Sequence, residues 1–383
     1  MATPQERAAR EHFASWARAN NYALTQDRVG NLFARRAGRR KDAAPILTGS
    51  HLDTVKTGGA YDGAYGVAGA MCALELLDAR KIVTEHPLEA AAWVGEEGSR
   101  FPLGCLGSAV FAGLTSADEA LALADETGVT LRDALANEAG GLLRDVPQRT
   151  SNDVAGYIEL HVEQGPILER AGARLGIVTA IASQRRFRVT LDGQSGHAGT
   201  VPMDIRSDAL GGAAEIILAI ELTARELGEC VVTVGRMTVE PGSTNVIPSR
   251  VTFSVDMRSP HDAHVDAIER TLRDAIARAT STRGIRASLE ALEGRKATPM
   301  TPRMRESIRR AASSTGERSM DVPSGAGHDT MCIAAIAPVA MIFVPSIGGV
   351  SHVGVEKTSD ADLELGVETL AAALVEVDRD LGA

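Results

Sequence analysis

The sequence predicts an α/β protein with a mostly parallel central sheet flanked by helices, interrupted by a smaller α+β domain. Two observations carry this. Apolar runs of strand length alternate with helical periodicities to about residue 181 and again from about 295 to the end, the pattern of a sheet covered by helices. Between them, the order strand, helix, strand, strand, helix, strand is that of a ferredoxin-like α+β unit. The expected division is therefore 1–181 with 295–383 for the larger domain and 182–294 for the insertion. A chain of 383 residues exceeds one typical core, and 44% apolar content suffices for two.

The elements follow in order. An amphipathic helix is expected near 4–19, then strands within ILTGSHLDTV (46–55), AAAWVGEEGSRF (90–101) and GYIELHVEQG (156–165). The stretch 116–143, SADEALALADETGVTLRDALANEAGGLL, reads as helical. In the insertion, RRFRVTLDG alternates polar and apolar residues, DIRSDALGGAAEIILAIELTARELG is a long helix, and CVVTVGRMTV and SRVTFSVDMRS are strands. A second helix near 261–282 and a strand near 285–291 complete a four-stranded antiparallel sheet with two helices on one face. The chain then returns through a helix near 302–315, a strand run at 337–345 and a closing helix from Asp360 to Leu381, with Ser359 or Asp360 as N-cap and Gly382 just past its end.

Composition narrows the function classes. The net charge is −10 without a basic run, which argues against a nucleic acid partner. The four cysteines Cys72, Cys105, Cys230 and Cys332 are widely spaced and form no CxxC pair. That suits small buried apolar residues in a reducing cytoplasm. The start MATPQERAAREHF is charged and lacks the apolar core of a signal peptide, and no stretch approaches a membrane span.

Five side chains able to bind metal, His51, Asp62, Glu97, His161 and His352, sit in Gly-flanked turns directly after, or close behind, strand-like runs. Scattered in sequence, they converge only at one edge of a sheet, where ligands of open α/β folds gather beyond the carboxyl ends of the strands. Imidazole and carboxylate together suit zinc, manganese or cobalt. Two divalent ions about 3.5 to 4 Å apart need one carboxylate spanning both. Asp62, in the glycine-rich turn GGAYDGAYGV, has the short side chain for it. Glu96 and Glu97 are adjacent at a strand end and so point in different directions. One can bind metal while the other faces the attacking water as general base.

The ordered motifs GSHLDTV, GGAYDG, GEEGSRFPLGCLGS, HVEQGPILE, GQSGHAGTVPMDIRSDAL, NVIPSR, VDMRSP, SGAGHD and MIFVPSIGGVSH run nearly end to end. They resemble the hydantoinase/carbamoylase family of amidases, which includes N-carbamoyl-L-amino acid hydrolases and allantoate amidohydrolases, within the aminoacylase and carboxypeptidase superfamily. The resemblance implies two divalent ions, zinc or manganese with cobalt or nickel as alternatives. One would be held by His51, Asp62 and His161 and the other by Asp62, Glu97 and His352, with Glu96 as base and Asp53 orienting His51. It further implies that the insertion acts as a lid and forms a homodimer, carrying His197, Asn245 and Arg258 into the partner's site. There Arg258 and Asn245 would bind the substrate carboxylate and His197 the developing oxyanion. Gln164, Gly327 and His328 would contact the substrate, and the 116–143 excursion would wall the pocket. The expected reaction is hydrolysis of a ureido C–N bond, with SQRRFRV and RFP closer to the allantoate branch. VGVEKT after His352 departs from the more usual Pro-Ala-Glu. An N-acyl amino acid deacylase or a di- or aminopeptidase on the same scaffold stands as the alternative enzyme, and a binding protein without catalysis as the alternative class.

Overall fold

A computed structural model describes residues 1–137, 141–292 and 294–382. The chain forms two compact units, Met1–Thr179 with Met300–Ala383, and Ala180–Pro299.

The described residues form a nine-stranded sheet whose strands belong to the larger unit except Thr298–Pro299 and the last two residues of Leu175–Ile181. Its order is Ala23–Gln26, Leu32–Arg36, Leu88–Trp93, Ile46–His51, Gly156–Val162, Val339–Val344, Leu175–Ile181 and Thr298–Pro299, with Ser319–Ser324 also paired to Leu175–Ile181. The four central strands, from Leu88–Trp93 to Val339–Val344, are mutually parallel, and antiparallel strands close both sides. Each of the four is buried at every residue. This explains why they read as continuous apolar runs rather than alternating ones. Parallel direction puts their carboxyl ends along one edge, with His51 level with Trp93 and His161 level with Phe343.

Helices cover the sheet. Pro4–Ala19 starts at Thr3, whose hydroxyl accepts the Glu6 N–H, and buries Phe13, Ala14 and Ala17. Ala64–Ala79 buries a stripe of Val67, Ala70, Ala73, Leu74 and Leu77. The closing helix Asp360–Gly382 buries Leu370, Leu374 and Val377 and is capped by Ser359, which accepts the Asp362 N–H. Among the described residues, no helix is long and apolar enough to cross a membrane. Cys105 and Cys332 are buried and Cys230 partly so, but Cys72 is exposed, against the expectation of four buried thiols. It lies on the far side of Ala64–Ala79 from the buried stripe.

The excursion after Ser116 is two short helices, Ala117–Ala122 and Leu131–Ala136, rather than one helical stretch, because Ala124 and Thr130 pair as a β-bridge between them. Ser116 and Glu119 form a capping box. Ala120, Leu121, Leu131, Ala134 and Leu135 pack with Val29, Val94, Phe101 and Leu106 in a separate apolar cluster. Residues 138–140 of the expected helical stretch lie outside the described residues.

The smaller unit is an antiparallel sheet ordered Arg286–Ala291, Ser183–Asp192, Arg250–Ser259, and then Val231–Thr233 and Met237–Glu240. Helices Ala209–Leu227 and Asp262–Arg283 share its core, packing Ile216, Ile220, Ile268 and Leu272 with Phe187, Val189, Phe253 and Val255. The long helix begins at Ala209, later than the periodicity suggests, because the Asp208 carboxylate accepts the Leu210 and Gly211 N–H groups. The run CVVTVGRMTV, expected as one strand, is broken. Thr233 pairs with Asp256 but Met237 with Phe253, so one extra residue bulges out around Gly235.

At the other end of the large sheet, Glu89 is 2% exposed as a side chain and is held by Arg35 at 3.1 Å and Arg149 at 2.8 Å. The Arg149 guanidinium also lies 4.1 Å from the centre of the Phe33 ring. Removing the carboxylate strands a buried cation, which costs about 3–5 kcal/mol. Glu89→Ala is therefore expected to lower the urea midpoint accordingly, and an unchanged midpoint would show that this buried trio is not needed.

Candidate active site

Three of the four parallel strands deliver ligands directly or within a short turn. His51 ends the strand Ile46–His51, His161 lies in Gly156–Val162, and Glu96 and Glu97 follow Leu88–Trp93. His352 lies in the loop beyond Val339–Val344, at φ 60. Asp62 enters from the turn before the helix Ala64–Ala79, where Gly63 takes φ 66. A Cβ at Gly63 would stand 2.3 Å from the His51 ring, so this turn needs glycine to bring Asp62 and the imidazole together.

The five predicted ligands meet as two triads, His51 with Asp62 and His161, and Asp62 with Glu97 and His352. Within each, one potential ligand atom per residue lies within 4.8 Å of the others. Asp62 belongs to both. Its Oδ1 is 3.3 Å from His161 Nε2 and 3.7 Å from His51 Nε2, while its Oδ2 is 3.1 Å from His352 Nε2.

The donor set fits divalent ions on three grounds. The Nδ1 atoms of His51 and His161 lie 2.8 Å from the main-chain carbonyls of Asp53 and Val162. A carbonyl only accepts, so each Nδ1 carries a proton and each Nε2 is the nitrogen turned toward Asp62, a ligand atom once the ring is neutral. The Gly63 N–H, 3.2 Å from His161 Nε2, needs a lone pair there. Finally, Glu97 Oε1 is buried without a hydrogen-bond partner, a costly arrangement unless a cation meets it.

The electrostatics agree. Burial works against a charged His51, but Glu96, Asp53, Asp329 and Asp62 outweigh it and push its pKa up to about 10. Burial raises the Asp62 carboxyl, yet His161, His51 and His352 hold it below the ordinary carboxylate range. Burial, reinforced by Asp62, raises Glu97. The pocket is rich in negative charge and favours a cation. Burial also lifts Glu96, to about 7, with Asp53, Glu97 and Glu159 adding to it and His51 opposing. Glu96 Oε2 lies 3.7 Å from His51 Nε2, and its Oε1 accepts from the Cys105 thiol at 3.4 Å.

Asp53 does two things. Its carbonyl orients His51, and its carboxylate accepts the Glu96 and Glu97 N–H groups at 3.1 and 3.2 Å, so it aims the pair of glutamates. Gln164, at φ 58, donates its amide to Asp62 Oδ2 at 3.0 Å and keeps Oε1 buried without a partner. His328 is 1% exposed, with Nε2 2.9 Å from Ser324 Oγ and its ring edge-on to His161 at 4.6 Å. Gly327 precedes it at a half-buried position.

Several residues of the site received no role from the sequence. Glu159, fully buried beneath the centre, takes hydrogen bonds from Ser50 and from Thr330. With its oxygens engaged it supports the floor, although it clusters with His161 and His328. Asp329 is fully buried against Ser108, and burial with Glu159 and Glu96 pushes its carboxyl well above the usual range. Glu356 is buried and accepts the Asp62 and Tyr61 N–H groups. A carboxylate inside an otherwise apolar strand, as in GYIELHV, was the available signal for Glu159.

In the smaller unit, His197 and Asn245 lie on exposed adjoining loops, His197 bridging Val246 and the Asn245 carbonyl accepting the Ala198 N–H. His197 Nδ1 accepts the Gly199 N–H at 3.1 Å, which leaves Nε2–H as the ring's donor. Arg258 is held by both oxygens of Asp256, at 3.0 and 3.1 Å, and the same carboxylate receives Arg186 and Gln184.

Residues 47–376 match the Peptidase family M20/M25/M40. The chain is 38% identical over 381 residues to an N-carbamoyl-L-amino-acid amidohydrolase of Paenarthrobacter aurescens, covering 98% of this chain and 92% of that one. It is 41% identical over 349 residues to an allantoate amidohydrolase of Bacillus subtilis, covering 91% and 84%. A solved hydantoinase/carbamoylase family amidase from Burkholderia multivorans superposes with a TM-score of 0.92 at 39% identity, covering 98% and 91%. With its fold, its paired ligand triads and these similarities in agreement, the chain belongs to the peptidase family M20/M25/M40, on the branch of the hydantoinase/carbamoylase amidases.

Proposed function

We propose that this protein is a two-metal amidohydrolase that cleaves the ureido C–N bond of an N-carbamoyl amino acid or allantoate-type acid, releasing ammonia and carbon dioxide. The observation that carries the reading is Asp62, whose two oxygens face imidazoles of two different triads. His51, Asp62 and His161 would hold one ion and Asp62, Glu97 and His352 the other, with zinc or manganese suited to these ligands and cobalt or nickel as alternatives. When bound, the ions supply Lewis acidity, acidifying water and polarising the substrate carbonyl.

The protein groups do the remainder. Glu96 accepts a proton from the attacking water and returns it to the departing nitrogen as the tetrahedral adduct collapses. Ammonia leaves, and the remaining carbamate loses carbon dioxide. Arg258, its planar fork already fixed by Asp256, binds the substrate carboxylate, with Asn245 assisting. His197 donates from Nε2 to the developing oxyanion. Gln164 offers its unpartnered Oε1 to the ureido N–H groups, and Gly327 and His328 line the substrate's end of the pocket. In this reading His197, Asn245 and Arg258 serve the site of a second copy, so the active form is a homodimer joined through residues 182–294. Four free thiols support a reducing, cytoplasmic setting for this enzyme. Arg186, beside Arg258 on the same carboxylate, supplies an extra donor for a second ureido carbonyl and inclines the assignment to allantoate.

Four measurements test this. Ammonia release by manganese- or zinc-loaded protein is expected from allantoate or an N-carbamoyl-L-amino acid, whereas turnover only of N-acetyl amino acids or dipeptides would move the assignment to a deacylase or peptidase. Glu96→Gln is expected to keep its metal and lose roughly 10²–10⁴-fold in kcat. A base must be ionised, so wild-type kcat should fall as pH drops through the Glu96 pKa. Protein groups alone set that at about 7, and neighbouring cations lower it. Retained turnover in the variant would dismiss Glu96 as the base. Arg258→Ala should raise KM roughly 10- to 100-fold, the loss of a charge-assisted contact, with metal content unchanged; an unaltered KM would remove Arg258 from substrate binding.

A further inference from the structure

Resting on the two-ion reading, we infer that Glu356 and Ser351 are positioning residues that set the affinity of the second ion, the one assigned to Asp62, Glu97 and His352. Four hydrogen bonds close a circuit around Asp62. The Asp62 N–H donates to Glu356 Oε1 at 3.0 Å, and Ser351 Oγ donates to Glu356 Oε2 at 2.7 Å. Gln164 Nε2 donates both to Ser351 Oγ at 3.2 Å and to Asp62 Oδ2 at 3.0 Å. The circuit joins the loop of the bridging carboxylate to the loop of His352, which directly follows Ser351.

The two triads depend on it unequally. His51 and His161 are each 1% exposed, lie on buried strands, and are oriented by main-chain carbonyls. His352 has a side chain 52% exposed and stands at φ 60 in a loop. Glu356, 5% exposed, fastens that loop to the Asp62 turn, adding the Tyr61 N–H at 3.2 Å, beside a longer bond from the Thr57 hydroxyl to the His352 carbonyl at 3.3 Å. It fits closely, since a Cβ at Gly59 would fall 2.4 Å from the Glu356 side chain. Without the circuit, only the Thr57 hydroxyl on the His352 carbonyl ties the His352 loop to this segment and Asp62 Oδ2 loses its Gln164 partner, while Asp62 Oδ1 still faces His51 and His161.

The test is calorimetric titration of the metal-stripped full chain with Mn²⁺, with bound metal counted by elemental analysis and folding checked by circular dichroism. Wild type is expected to bind two ions. Glu356→Ala and Ser351→Ala should keep the tighter ion and weaken the other roughly 10- to 100-fold, the usual effect of losing a group that orients a ligand. His352→Ala should match them. Glu356→Gln should stay near wild type, because its amide oxygen still accepts the two N–H groups and its amino group can donate to Ser351. Two ions bound at wild-type affinity in Ser351→Ala and Glu356→Ala would overturn the inference alone, as would equal weakening of both ions in a folded variant. A wild-type chain binding fewer than two ions would overturn the two-ion reading itself.

Discussion

Asp62 is the point on which the centre turns. Its two oxygens are divided between imidazoles brought by a parallel strand on one side and by a loop on the other. That division requires four parallel strands to end together and a turn at Gly63 tight enough to seat the carboxylate against His51. It also requires a buried region dense in carboxylates, whose mutual repulsion is relieved only by positive charge. The sheet meets the geometric requirement; the imidazoles, and the divalent ions that this donor set fits, would meet the electrostatic one.

Much of this was written into the chain in readable form. Fully buried parallel strands leave unbroken apolar runs, so GYIELHV and AMIFV announced themselves, and the metal-binding side chains stood just behind them. What escaped depends on contacts between segments far apart in sequence. Glu356 reaches Asp62 across almost the whole chain, and its role is visible only once two loops are seen side by side. Asp53 stands beside the His51 ring as its position suggests, with Oδ1 3.8 Å from Nδ1, but the hydrogen bond comes from its carbonyl while the carboxylate also accepts the Glu96 and Glu97 N–H groups. The bulge near Gly235 was invisible for a different reason. Alternation along CVVTVGRMTV does not record how many residues the partner strand offers opposite it.

The smaller unit applies the same economy to a different problem. Arg258 is a flexible cation on a sheet, yet Asp256 fixes its fork through both oxygens while Arg186 and Gln184 hold that aspartate in turn. Less of the guanidinium's freedom remains to be lost when an anion arrives.

The paired short helices after Ser116 extend this dependence outward. Their apolar residues pack on Leu106, the residue after Cys105, whose N–H and thiol both bond Glu96. Glu96 is thus seated on a small satellite core of its own, separate from the main one. Sequence drift among those leucines and alanines has a path to the position of the Glu96 carboxylate without altering any of the five residues of the two triads.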